Sequence, residues 1–404
     1  MIALLLVTAL RFGNLIDGQG HAIKDAVVIV DGEKIVRVGG EIPKNATVVD
    51  LRKYTAIPGL IDAHTHMTFY WDRKPGTRPW SQLGTLHDAV TVYLAQENAR
   101  KTLETGVTTV RDLGSWNYLD VAMRDLINRG AMTGPRMFVA GFGLHVTGSA
   151  TKQGRQLDTA EASGVAEVQR VAREQIAGGA DWIKMYGSTG SDQDVTGFQT
   201  FSFEEMKAAV DVAHRAGKRI AIHSYGPDGA RDAVRAGADS VEHATGLDDA
   251  TIAEMAKRGT VYVPTVDHNR YYGAHKDEFG YDQAVVDRLN DYINRNFETL
   301  KRAVAAKVTI AMGSDAVFTG FGENTRELEW FVKAGMTPAQ ALDTATKNGA
   351  ALLGMEKELG AIAPGYYADI VAVEGDPLTN IDAVVHGVRW VMKGGKVVVP
   401  LTTR

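Results

Sequence analysis

From about residue 56 to residue 316, short apolar runs alternate with longer segments whose apolar residues recur at helical spacing, and no other feature of the chain restricts its fold as strongly. The apolar runs are AIPGLIDAH, VTTVRDLG, RMFVAGFG, DWIKMYG, RIAIHSYG, SVEHATG, VYVPTVD and VTIAMGSDA; FEEMKAAVDVAHRAGK and TIAEMAKRG are two of the segments between them. Strand–helix alternation repeated about eight times predicts an α/β chain folded as a (β/α)8 TIM barrel. Polar residues punctuate the runs. His64, His66, Asp112, Lys184, His223, His243 and Asp315 each stand at or just past the C-terminal end of a predicted strand. In a barrel that edge gathers the chemistry, so residues far apart in the chain are expected to meet in one pocket.

The two ends have a different texture. From about residue 3 to 52, and again from about residue 360, short β-rich runs such as AVVIVDG, KIVRVGG, YYADIVAVEG and KVVVP are split by glycine turns. Neither end has enough strands for a core of its own. Residues 1–55 and 360–404 are therefore expected to pair into one small β-sandwich beside a barrel of residues 56–359. The first ten residues, MIALLLVTAL, read as a buried first strand running into RFGNLIDG, with the remnant of an export signal as the alternative. They are too short to span a membrane, and no other segment reads as transmembrane.

The 404 residues suit a large domain plus a smaller one, and a chain 45% hydrophobic and 23% charged is ordinary for a globular enzyme. Formal net charge is −5 with no long Lys/Arg block, which argues against nucleic acid as a partner because phosphate binding needs a concentrated basic face. There is no cysteine, which removes disulfides, thiolate ligands and a cysteine nucleophile. It leaves the compartment open, cytoplasmic or exported. A metal here must be held by His, carboxylate or a modified side chain.

His64 and His66 are two residues apart, so a strand points both to one side, where two imidazoles can bind one divalent ion. Lys184 closes an apolar strand, where a cation is expensive to bury. It either snorkels to a partner or, as a neutral amine, reacts with CO2 to give a carbamate able to bridge two ions. His223 and His243 close two successive strands and add two imidazoles. Asp315, in MGSDA, offers a carboxylate to take a proton from a metal-bound water and return it to a leaving amine. His145 and Tyr225 lie near the same rim, either to hold a substrate or to pack the loops. Such a set suits two ions about 3.5–4 Å apart, with a bridging hydroxide nucleophilic near neutral pH.

The ordered set PGLIDAHTH, GVTTVRD, WIKMY, IAIHSYG, VEHATG and GSDA resembles the amidohydrolase superfamily over nearly the whole chain. Within it, the chain is similar to the dinuclear prolidase-like and Xaa-carboxypeptidase group that includes ochratoxin A amidohydrolases. The resemblance implies His64 and His66 on a first metal and His223 and His243 on a second. It also implies carboxylated Lys184 between them, and Asp315 on the first metal as proton shuttle. Tyr225 and His145 match positions that contact the scissile carbonyl or a substrate carboxylate, although GFGLHVTGSA around His145 departs from the more glycine- and histidine-rich form of the pattern. Zinc, manganese and cobalt all suit such ligands, with zinc the expected ion.

Two segments, FYWDRKPGTRPWSQLG (69–84) and DHNRYYGAHKDEFGYD (267–282), read as long loops over the mouth and mix aromatics with Arg, Lys or His. They suit a small-molecule substrate with an aromatic body and a carboxylate, an N-acyl amino acid or dipeptide, with ochratoxin A as the specific expectation. Competing readings are a mononuclear deaminase of the same fold, which would lack a use for Lys184, and a dinuclear hydrolase of lactones, carbamates or phenylureas. A non-catalytic assembly module would be expected to lose ligands, and all six positions stand. Barrels of this kind often assemble, so a homo-oligomer is the expected state.

Overall fold

Alternating apolar and polar residues near the N-terminus form β1 (Thr8–Ile16), β2 (Ala22–Asp31), β3 (Lys34–Val38) and β4 (Thr47–Pro58). The computed structural model describes residues 7–148 and 160–401, so most of the apolar N-terminal run lies outside the described residues. The central strands are β5 (Leu60–Thr65), β6 (Val107–Asp112), β7 (Arg136–Val139), β8 (Leu144–Val146) and β9 (Ala160–Ala162). They continue as β10 (Trp182–Tyr186), β11 (Arg219–Ser224), β12 (Ser240–His243) and β13 (Val261–Val263). Near the C-terminus lie β14 (Ile370–Val373), β15 (Val388–Lys393) and β16 (Lys396–Val399).

The terminal strands do pair, as one seven-stranded sheet in the order β16-β15-β14-β4-β1-β2-β3. This differs from the expected two-layer sandwich, and the reason lies in β4. Its twelve residues pair with β1 in parallel and with β14 antiparallel, so the two chain ends join edge to edge through one strand. Leu10, Phe12, Val28, Ile35, Ile370 and Trp390 are buried together on this sheet.

The central strands form two parallel sheets, β5-β6-β7 and β13-β12-β11-β10-β8-β9. β5 and β6 are buried at every position, the continuous burial of parallel strands covered on both faces. The eighth apolar run, VTIAMGSDA, makes only isolated bridges, Tyr262↔Ile310 and Thr65↔Ala316, instead of a regular strand. Gly313 is required there, because a Cβ at this position would lie 2.4 Å from Val263 Cγ1 and 2.9 Å from His64 Cβ. The chain then turns sharply through Asp315, which has φ 52°.

Helices lie between the central strands. The helix Phe203–Arg215 begins with a capping box, in which Ser202 accepts from Glu205 N–H while Ser202 N–H donates to the Glu205 carboxylate. Segment 267–282, expected as a loop, is largely helical, with helices Val266–Ala274 and Lys276–Phe279 followed by the 23-residue helix Gln283–Ala305. No helix among the described residues is long and apolar enough to cross a membrane.

Candidate metal centre

Parallel register brings the strand-end residues together. Tyr186 of β10 stands beside His223 of β11, and Ser224 stands beside His243 of β12. His64, His66, Lys184, His223, His243 and Asp315 all line one cavity of about 800 Å³. His145 and Tyr225 line it as well. Asp112 does not. Its carboxylate accepts from Met67 N–H and Thr65 Oγ1, so it holds the turn that carries His66.

Three of the four imidazoles, those of His64, His66 and His243, are held through Nδ1. His64 Nδ1 lies 2.8 Å from Glu242 Oε2, and His66 Nδ1 donates to Gly114 O at 3.0 Å. Because a carbonyl only accepts, the His66 proton sits on Nδ1 and its Nε2 lone pair faces the cavity. His66 Nε2 is 3.2 Å and His64 Nε2 3.5 Å from Asp315 Oδ1. These three residues offer ligand atoms within 4.8 Å of one another, a set that fits a divalent ion. His243 Nδ1 is 2.7 Å from Thr265 Oγ1. His223 Nε2 is buried with no hydrogen-bond partner, which in a packed interior points to a ligand. Lys184 Nζ lies 3.5 Å from His64 Nε2, and Lys184 is 1% exposed.

The electrostatics agree with a ligand set. Burial, then the Lys184 charge, holds the His64 imidazole well below its ordinary range; burial and His243 do the same for His223. Burial likewise keeps His243 neutral against the pull of Asp315. Neutral imidazoles are the form that binds metal. Burial pushes the Asp315 carboxyl up, but His268, His64 and His66 outweigh it and hold it well below the usual carboxylate range. Burial draws Lys184 down to about 8. His243, Thr265 and Asp315 all adopt positive φ, a strained backbone that non-glycine residues tend to keep at functional sites.

Several site residues escaped the sequence reading. His268, on the helix Val266–Ala274, places Nε2 3.2 Å from Asp315 Oδ2, on the side of the carboxylate away from His66. His268 and Tyr272 are four apart and both line the cavity, a helical spacing that was available in the sequence. Tyr186 stacks on His145 with ring centroids 4.0 Å apart. Phe69, Trp80, Trp116, Phe142 and Tyr272 make an aromatic wall, and Asp192 and Asp194 also line the cavity. Three cations of the two mouth segments are engaged elsewhere. Arg78 donates to Phe279 O, Arg270 pairs with Asp267 and Glu323, and Lys276 pairs with Asp277. Among the described residues, Lys184 is the sole Lys or Arg lining the cavity.

Comparison with known proteins leads to the same chemistry. The sequence profile described as the amidohydrolase family matches residues 55–398. Ochratoxinase from Aspergillus niger is 31% identical over 426 aligned positions, covering 96% of this chain and 86% of that protein. A solved Xaa-Pro dipeptidase with methionine bound in its active site superposes with a TM-score of 0.86 at 31% identity, covering 97% of this chain and 99% of that one. A prolidase complexed with N-methylphosphonate-L-proline gives a TM-score of 0.87 at 28% identity, covering 98% and 100%. With four imidazoles, a lysine and an aspartate gathered at one edge of a mixed α/β fold shared with these structures, the chain belongs to the amidohydrolase family and is a hydrolase related to ochratoxinase and the prolidases.

Proposed function

We propose that the protein hydrolyses the amide bond of small N-acyl amino acids or dipeptides with a free C-terminal carboxylate, with two divalent metal ions as cofactors. The observation that carries this reading is the convergence of His64, His66, His223, His243, Lys184 and Asp315 in one aromatic-walled cavity. Kinship with ochratoxinase and prolidases supports an amide substrate, and the aromatic wall supports an aromatic N-acyl group such as that of ochratoxin A. His64, His66 and Asp315 would hold one ion, His223 and His243 the other, and Lys184 as a CO2-derived carbamate would be shared; zinc suits these ligands. When bound, such ions supply Lewis acidity and a water acidic enough to attack near neutral pH.

The protein's own groups carry the proton traffic. The Asp315 carboxylate takes a proton from the attacking water and returns it to the amide nitrogen as the C–N bond breaks. Burial pushes the Tyr225 phenol far above its ordinary range, so it stays protonated and donates to the carbonyl oxygen. Burial draws His145 down to about 4, and its Nδ1–H is donated to Gly143 O at 2.9 Å. Its Nε2 is therefore an acceptor, suited to orient a substrate N–H better than to hold a carboxylate. The aromatic wall excludes water around the acyl group.

The same reading extends to the fold. Bonds from Asp181 N–H to Val139 O, Tyr262 N–H to Thr309 O and Ala63 N–H to Met312 O link the two parallel sheets, and they support a closed (β/α)8 barrel. Residues 56–359 are assigned to this catalytic unit, and residues 1–55 and 360–404 to the terminal one. The test is to measure metal content and screen N-acyl amino acids, dipeptides and ochratoxin A with the purified chain. About two divalent ions per chain and release of a free amino acid are expected. One ion per chain with full activity in Lys184→Ala overturns the dinuclear centre. Turnover confined to lactones, carbamates or phenylureas overturns the substrate class.

A further inference from the structure

Beneath the candidate ligands runs a closed set of buried polar contacts joining four strands. Arg111 of β6 and Glu242 of β12 are both 0% exposed. Arg111 donates from Nε to Ala63 O at 2.6 Å, from Nη1 to Ser240 Oγ at 2.8 Å and from Nη2 to Glu242 Oε1 at 2.9 Å. Its guanidinium lies 4.5 Å from the centre of the Trp182 ring. Ser240 donates its hydroxyl to the same Glu242 Oε1. The other oxygen, Oε2, lies 2.8 Å from His64 Nδ1. A charged pair this deep is expensive to desolvate, and swapping it for apolar residues is often neutral or stabilising, so stability alone gives it little reason to exist.

The hydrogen-bond directions suggest what it does. A guanidinium has only donors, so Arg111 requires an acceptor at Oε1. The Glu242 carboxylate then presents a second acceptor at Oε2, and the His64 proton must sit on Nδ1 to meet it. The lone pair is left on Nε2, the atom 3.5 Å from both Asp315 Oδ1 and Lys184 Nζ. We propose that Glu242, oriented by Arg111, is a positioning residue that locks His64 in its Nδ1–H form and so aims Nε2 at the metal centre. Carboxylates that orient ligating histidines in this way are worth roughly 10- to 100-fold in metal affinity. The proposal rests on the metal-centre reading for its purpose, but its hydrogen-bond logic can be tested separately.

The decisive variant is Glu242→Gln. The new amide must keep its oxygen toward Arg111, because the opposite rotation sets NH2 against the guanidinium. Its NH2 then faces His64 Nδ1, which must become an acceptor, and the proton moves to Nε2, where it blocks coordination. Nitrogen-15 NMR of histidine-labelled, metal-stripped full chain should show His64 as the Nδ1–H form in the wild type and the Nε2–H form in Glu242→Gln. Zinc retention against a chelator should fall roughly 10- to 100-fold in the same variant. Adding Arg111→Met frees the amide to turn its oxygen to His64, so the double variant should recover the Nδ1–H form and part of the lost retention. A merely structural role predicts the reverse, a double variant worse than either single one. An Nε2–H form of His64 in the wild type overturns the proposal even if every variant misfolds. A wild-type chain with the Nδ1–H form that binds no metal counts against the metal centre instead.

Discussion

Whether Lys184 is carboxylated can be decided from its reactivity. Only the neutral amine attacks CO2, and burial, reinforced by Arg111 and opposed by Glu242 and Asp315, draws this ammonium down to about 8. At about pH 7 roughly one chain in ten then carries the neutral amine, against roughly one in 3,000 for a lysine at 10.5, a gain of about 300-fold. The chain is stripped of metal and CO2 at mildly acidic pH, then exposed to carbon-13 CO2 at fixed dissolved concentration over a pH series. The initial rate of carbamate appearance by carbon-13 NMR should rise about tenfold per pH unit below 8 and level off above it. Lys184→Arg should give no signal at this site. The sign of the linked stability follows. A lysine with a depressed folded-state pKa costs stability below that value, and the cost disappears as pH rises to the unfolded value. The unmodified, metal-free chain should therefore gain up to about 3 kcal/mol between about pH 8 and 10.5. A rate that climbs without a break past pH 10, or no labelled lysine even with divalent ions present, would refute the reasoning.

Asp315→Asn should keep its metal content by elemental analysis and lose roughly 10²- to 10⁴-fold in turnover; retained turnover removes Asp315 from proton transfer. Arg136 Nη1 and Asp369 Oδ2 are 2.6 Å apart with the side chains 17% and 5% exposed, so Asp369→Ala should strand the guanidinium and cost about 3 kcal/mol in denaturant titration. An unchanged midpoint would show that this link between β7 and the terminal sheet carries no stability. Burial, then the Arg136 charge, draws Lys393 down to about 8. Lys393→Met should therefore stabilise by about 1–3 kcal/mol at neutral pH, with the gain fading as pH rises toward 10.5; a destabilised or pH-independent difference contradicts this.

The positions at the strand ends were legible because parallel strands send their C-terminal ends to one edge, whatever the intervening sequence. Lys184, His223 and His243 needed only a correct strand assignment to be placed side by side. Arg111 and Glu242 carried a signal of their own, since an ionised residue inside VTTVRD or SVEH must be paired if the strand is buried. Their partnership was not legible, because it depends on which strands face one another across the interior. The helix that carries His268 was harder to read for a different reason. Segment 267–282 mixes aromatic and charged residues without an apolar stripe, yet it folds as helix because Glu327 accepts the N–H groups of Val266 and Asp267 and so satisfies the helix start from a distant part of the chain. Tertiary pairing likewise explains why Arg78, Arg270 and Lys276 of the two mouth segments do not line the cavity. Arg78, Arg270 and Lys276 each find a neighbouring acceptor within their own surroundings, and composition cannot distinguish a cation spent on tertiary structure from one held in reserve for a substrate. The carboxylate of the proposed substrate would therefore have to be met by groups other than these three cations. Phe69, Trp80, Trp116 and Phe142 give the cavity an aromatic lining, which suits the aromatic acyl group of the proposed substrate.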